Sequence, residues 1–126
     1  MDTARFEEMV AEVLAAVPEP FARHLDSVEV VVEPVPTRAQ RRSLRLRPRE
    51  TLYGLYEGVP VPQRLASAGG AGSLILPSRI TLFRRALSAH FPDEDALRAE
   101  VRRTLLHELA HHFGIDDRRL IELGAY

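Results

Sequence analysis

Residues 92–117 read PDEDALRAEVRRTLLHELAHHFGIDD, and this stretch decides the fold. Pro92 and the acidic cluster Asp93, Glu94 and Asp95 suit a helix N-terminus, by capping and by the helix dipole. Leu97, Val101, Leu105, Leu106, Leu109 and Phe113 then recur at helical spacing. Gly114 fits the left-handed position just past a helix end. The pattern predicts a helix from about Glu94 to Phe113, followed by a short one over roughly Arg118 to Leu123.

Within that helix, His107, Glu108, Leu109, Ala110 and His111 spell H-E-x-x-H. Residues four apart on an α-helix lie about 40° apart around the axis and about 6 Å along it. Two imidazoles at that offset can converge on one ion. Glu108 projects beside the ion without binding it, where a general base takes a proton from water. The pattern extends to H-E-x-x-H-x-x-G-x-x-D, ending at Asp117. Gly114 lets the backbone leave the helix sharply, so that Asp117 can return as a third ligand. Three protein ligands with an open fourth position are the mark of a catalytic rather than a structural zinc site. The bare motif arises by chance in roughly three of a thousand chains this long. The competing reading is a solvated or core-satisfied histidine pair on an amphipathic helix, and the cap and terminating glycine argue against it.

Outward from this helix, the signals weaken. Phe6, Met9, Val10, Val13, Leu14 and Val17 predict an N-terminal helix, capped by Asp2 or Thr3 and stopped by Pro18. Phe21 to Leu25 can add one more turn. Val28–Glu33 (VEVVVE) alternates and is β-branched, so it reads as a strand. Leu52–Tyr56 reads as another, with Gly54 marking a bulge or a close backbone approach. Leu74–Leu76 and Ile80–Phe83 read as short strands in a hairpin-like arrangement around Pro77-Ser78. Ala66–Ser73 (ASAGGAGS) reads as a flexible loop. Residues 37–50 hold six arginines and no confident core face, which suggests a loop, an exposed edge strand or an arm. The fold class expected is α+β in one domain, with a small mixed sheet packed against the N-terminal helix and the long histidine-bearing helix.

Composition narrows the chemistry. The 126 residues include no cysteine, which excludes a disulfide framework, thiolate ligands and a cysteine nucleophile. The net charge of −1 gives no global pull toward a polyanion. No apolar run approaches the roughly 20 residues that span a bilayer. Acidic residues come early (Asp2, Glu7, Glu8) with no basic-then-apolar leader, so the expected location is the cytoplasm. Every basic side chain is arginine, a compositional bias that needs no functional cause.

HELAHHFGIDD resembles the active-site motif of the small bacterial zincin-like metallopeptidases, the minimal zincins. LYGLYEGVPVPQR (Leu52–Arg64) and ILPSRITLFRRAL (Ile75–Leu87) are similar to other shared blocks of that family. The resemblance implies an α+β fold, one Zn²⁺ per chain and peptidase activity. It implies His107, His111 and Asp117 as ligands and Glu108 as the base. Larger relatives carry a third histidine and a methionine turn; here methionine stands only at positions 1 and 9. The chain also runs only nine residues past Asp117, so a shallow site is expected.

The reaction expected is attack of a zinc-bound water on a peptide carbonyl, with a peptide or protein as substrate. Iron, cobalt and nickel can use the same ligands, with zinc the first choice. Asp116 competes with Asp117, but spacing favours Asp117 and makes Asp116 a helix cap. His112 points away from the ion on helical geometry; His24 and His90 read as surface residues. Tyr53, Tyr56 and Tyr126 are candidates to stabilise an oxyanion, against the ordinary reading of packing. Ile80–Phe83 offers an edge for an extended peptide, or else an interior strand. The arginine run is a solvated face on the ordinary reading, and a grip on phosphates on the other. Two rival functions stand beside the peptidase: a metal-dependent endoribonuclease-like hydrolase, disfavoured by the presence of Glu108, and a non-catalytic zinc-stabilised interaction domain.

Overall fold

The computed structural model describes residues 1–19, 21–58, 78–114 and 116–122; the side chains of His24, His112 and Asp117 lie outside that description. The chain opens with helix α1 (Thr3–Ala15). Asp2 caps it, its carboxylate accepting from the Arg5 N–H at 2.8 Å. Phe6, Met9, Val10 and Val13 form the buried face that their spacing predicts. The extra turn expected near Phe21 is a 3-10 helix, Ala22–Ser27, which runs into strand β1 (Val28–Glu33).

The arginine-rich segment departs from its sequence reading as a loop, edge strand or arm. Helix α2 (Arg38–Ser43) forms there. The cause is a capping box: the Gln40 N–H donates to Thr37 Oγ1 at 3.0 Å, and the Thr37 N–H donates back to Gln40 Oε1 at 2.9 Å. None of its residues is buried, and six residues are too few for apolar periodicity to show.

Strands β2 (Gly54–Glu57) and β3 (Ser78–Phe83) complete a mixed sheet in the order β1-β3-β2. β3 pairs with β1 in parallel, from Val28↔Ser78 to Glu33↔Phe83, and with β2 antiparallel, from Gly54↔Leu82 to Glu57↔Arg79. The expectation that Ile80–Phe83 offers a peptide-binding edge is therefore corrected. β3 is the central strand, and Ile80, Thr81, Leu82 and Phe83 are all buried. Its alternation is masked because both faces are covered. The expected strand Leu74–Leu76 and loop Ala66–Ser73 lie outside the described residues.

Directly after β3 comes helix α3 (Arg84–His90), absent from the sequence reading because only Leu87 is buried along it. Helix α4 (Glu94–Phe113) has the predicted bounds. Asp93 caps it by accepting from the Ala96 N–H at 2.9 Å, and Gly114 ends it at φ 69°. Helix α5 (Asp117–Glu122) follows. The architecture is α+β, with α4 packed between the sheet and α1. Phe6, Met9, Leu82, Leu105, Leu106 and Leu109 are fully buried in the shared core. Each such side chain contributes about 1.5–3 kcal/mol. Among the described residues, no helix is long and apolar enough to cross a membrane.

Candidate metal centre

The burial of α4 decides which way its polar residues face. Leu105, Leu106, Leu109 and Ala110 have no exposed surface. Their packing fixes the helix rotation and leaves His111 on the solvent side, with His107 and Glu108 partly covered. His107 is half-buried, and the His111 side chain is 66% exposed. The nearest approach of His111 Nδ1 to Glu108 Oε2 is 3.9 Å. Two imidazoles one helical turn apart, with one open to solvent, fit a metal ion that also needs room for water.

Among the described residues, Glu108 is the acid whose environment perturbs it. Its side chain is only 19% exposed. Burial pushes its pKa above the ordinary 4.5. Three influences oppose burial: the charge of His111, a backbone hydrogen bond from Tyr56 in β2, and the charge of His107. Strand β2 thus helps hold the carboxylate in place. The strand comes close because residue 54 is glycine. A Cβ there would stand 2.6 Å from Thr104 Cγ2, well inside van der Waals contact.

Gly114 ends α4 in the left-handed conformation, and the next helix, α5, begins at Asp117. The Asp116 carboxylate accepts from the Arg119 N–H at 2.9 Å, capping α5 as its position suggests. Leu120, 1% exposed, anchors α5 against the core. Asp117 is the first residue of α5, and its side chain lies outside the described residues. Among the described side chains, no three His, Cys, Asp or Glu residues gather around one point. The described part of the donor set is the pair His107 and His111. Two imidazoles and, at position 117, a carboxylate are donors that suit zinc.

The site opens into a groove of about 410 Å³ that the sequence reading missed. One wall is Leu52–Gly54; the other is the face of α4 carrying Glu100, Arg103, Thr104, His107 and Glu108. These positions share one face at spacings of three and four, the only sequence signal that links them to the motif. Glu100 is nearly buried beneath Arg103, whose Nε donates to Glu100 Oε2 at 2.9 Å. Tyr53 and Tyr56 have their hydroxyls engaged: Tyr53 with His90 Nδ1 at 2.6 Å, Tyr56 with Ser78 Oγ at 3.2 Å. Tyr53 also packs edge-on against His90 and Phe91. Tyr126 lies outside the described residues.

Compared with known proteins, residues 25–125 match the family model of the zincin-like metallopeptidases. No curated protein matches the chain.

Proposed function

The chain belongs to the zincin-like metallopeptidase family, and from that premise we propose that it hydrolyses peptide bonds, with zinc held by His107, His111 and Asp117 and with Glu108 as the general base. The observation that carries this reading is the setting of Glu108. It is buried, drawn toward both imidazoles, tied to the backbone of Tyr56, and placed on the groove wall. A solvated histidine pair on an amphipathic helix needs none of these features.

When bound, zinc supplies Lewis acidity, acidifying a water molecule and polarising the scissile carbonyl. The chain's own residues do the rest. His107 and His111 offer ring nitrogens from successive turns of a helix that the core holds rigid. Gly114 ends α4 in the left-handed conformation, and Leu120 seats α5, the helix that begins at Asp117. Glu108 receives the proton of the attacking water and passes it to the leaving amine. A pKa raised by burial favours both halves of that relay, since a carboxylate with a very low pKa is a poor base. Leu52–Gly54 and α4 bracket the substrate chain. Among the described residues, β2 has no strand on its outer side, which suits pairing with an extended peptide.

The test is elemental mass spectrometry of untagged wild-type protein beside His111→Ala and Glu108→Gln. The expected result is about one zinc per chain in the wild type and in Glu108→Gln, and little in His111→Ala. Turnover of unfolded protein should fall by about 10²–10⁴ in Glu108→Gln. Full turnover in that variant would sink the mechanism. Absence of stoichiometric metal from the wild type after reloading would sink the site.

A further inference from the structure

The arginines of residues 37–50 play no part in the metal-binding face of α4, and their charge is uncompensated. Six arginines stand between Pro34 and Glu50 with no acidic residue among them. Several surface arginines elsewhere are paired: Arg5 with Glu94, Arg79 with Glu29, Arg98 with Glu12 and Arg103 with Glu100. Among the described residues, the side chains of Arg38, Arg42 and Arg45 form no ion pair.

The backbone gathers these charges onto one surface. After α2, the Leu46 N–H donates to the Arg41 carbonyl at 3.0 Å and the Arg45 N–H to the Arg42 carbonyl at 3.1 Å. Arg45 takes the left-handed conformation, φ 55°, at a helix end where glycine is the favoured residue. Arg41 fastens the return, its Nη2 donating to the carbonyls of Arg47 at 2.6 Å and of Pro48 and Glu50 at 3.3 Å. The result is a concave surface of about 560 Å³ lined by Arg38, Arg41, Arg42, Arg45, Leu46 and Pro48. Its four guanidinium groups come from eight consecutive residues.

We propose that this concavity binds a compact polyanion, a chain of two or three phosphates. Guanidinium forks pair with phosphate oxygens two at a time. An acidic peptide is a poorer match. In an extended chain, alternate side chains face opposite ways, so one face receives a charge only every ~6.6 Å. Single-stranded nucleic acid adds aromatic stacking to backbone charge, and among the described residues no aromatic side chain lines this surface. Arg45 is the most telling member. A residue with a Cβ is strained where it sits, and its side chain is one of the four that line the concavity. Strain of this kind is found at sites of function.

The experiment is calorimetric titration of the full chain with inorganic triphosphate at low salt. It compares wild type, Arg45→Gly and the double variant Arg38→Ala/Arg42→Ala. Wild type should bind one triphosphate saturably. Arg45→Gly should bind it about tenfold more weakly, the loss of one charge-assisted pair. The same variant should melt about 2–6 °C higher without ligand, because glycine relieves the strain. The double variant should bind more weakly still. If Arg45→Gly proves less stable than wild type, the double variant decides alone, since its two exposed arginines support no other contact. Equal binding in all three proteins would overturn the proposal; triphosphate sequestering a metal would give that same uniform signal. No saturable binding to wild type would overturn it too. So would tighter binding of a single-stranded oligonucleotide or an aspartate-rich peptide, since the surface would then serve a macromolecule.

Discussion

Helices α4 and α2 both carry charged chemistry, and they are held in place by opposite means. α4 is 20 residues long and is fixed by burial: Leu97, Val101, Leu105, Leu106, Leu109 and Ala110 all face the core. Its charges find protein partners, as with Glu100 and Arg103. α2 is six residues long, buries nothing, and is fixed by local hydrogen bonds at its two ends. Arg41 binds the carbonyls of Arg47, Pro48 and Glu50, while Arg38 and Arg42 are left to solvent or to a ligand. The precision of the proposed metal-binding face is therefore a property of the whole core. The shape of the arginine surface is a property of some fourteen consecutive residues.

The largest effect should come from the core beneath the site. Leu109 lies between Glu108 and Ala110 and is fully buried. Leu109→Ala should cost about 2–5 kcal/mol of stability, read from the denaturation midpoint. Zinc affinity should fall with it, because the last turn of α4 loses the contact that sets its rotation. A variant that kept full zinc affinity despite that loss would break the comparison, since the ligand face would then be locally determined like α2.

Thr37→Ala tests the other side. It removes the capping oxygen of α2 at a cost of about 1 kcal/mol. The damage should stay local. Hydrogen exchange at Gln40 and Arg41 should quicken, with zinc binding unchanged. A hydrogen bond connects the regions, Gln40 Nε2 to Glu57 Oε1 at 3.0 Å, at the end of β2. Loss of zinc affinity in Thr37→Ala would show that this hydrogen bond transmits strain to the site, and would blur the distinction.

The same contrast explains what could be read from the sequence. α4 was legible to the residue because a long helix repeats its apolar signal at Leu97, Val101, Leu105 and Leu109 and ends on a glycine. α1 and β1 were legible for the same reason of repetition. α2 was not, because its signal is one capping box, T-R-A-Q, set among arginines with no apolar face. α3 was missed because Leu87 is its single buried side chain. The strand Ile80–Phe83 was legible as a strand but not as the central one, since sheet order depends on partners distant in sequence. At the candidate site, the shared helical face of His107, Glu108 and His111 was legible from spacing. The groove wall was not, because Leu52–Gly54 reaches α4 only through the tertiary fold.

The smallest expected effect sharpens the account of Glu108 itself. Burial raises its pKa, while His111, the Tyr56 backbone and His107 pull it down, so the net perturbation is a partly cancelled one. In the folded, metal-free protein the carboxyl thus holds its proton to higher pH than in the unfolded chain. Ionising it then costs stability. The cost is absent below the unfolded pKa, grows as pH rises from there through the folded pKa, and is constant above. Glu108→Gln removes the titration and keeps the shape. The melting temperature of metal-free Glu108→Gln, minus that of metal-free wild type, should therefore rise from acid toward neutral pH and then level off. Other carboxylates titrate in both proteins and cancel in the difference. A difference that falls with pH would mean the attraction to the two imidazoles outweighs burial. The glutamate would then be a stabilising partner of the histidines rather than a strained group held for proton transfer.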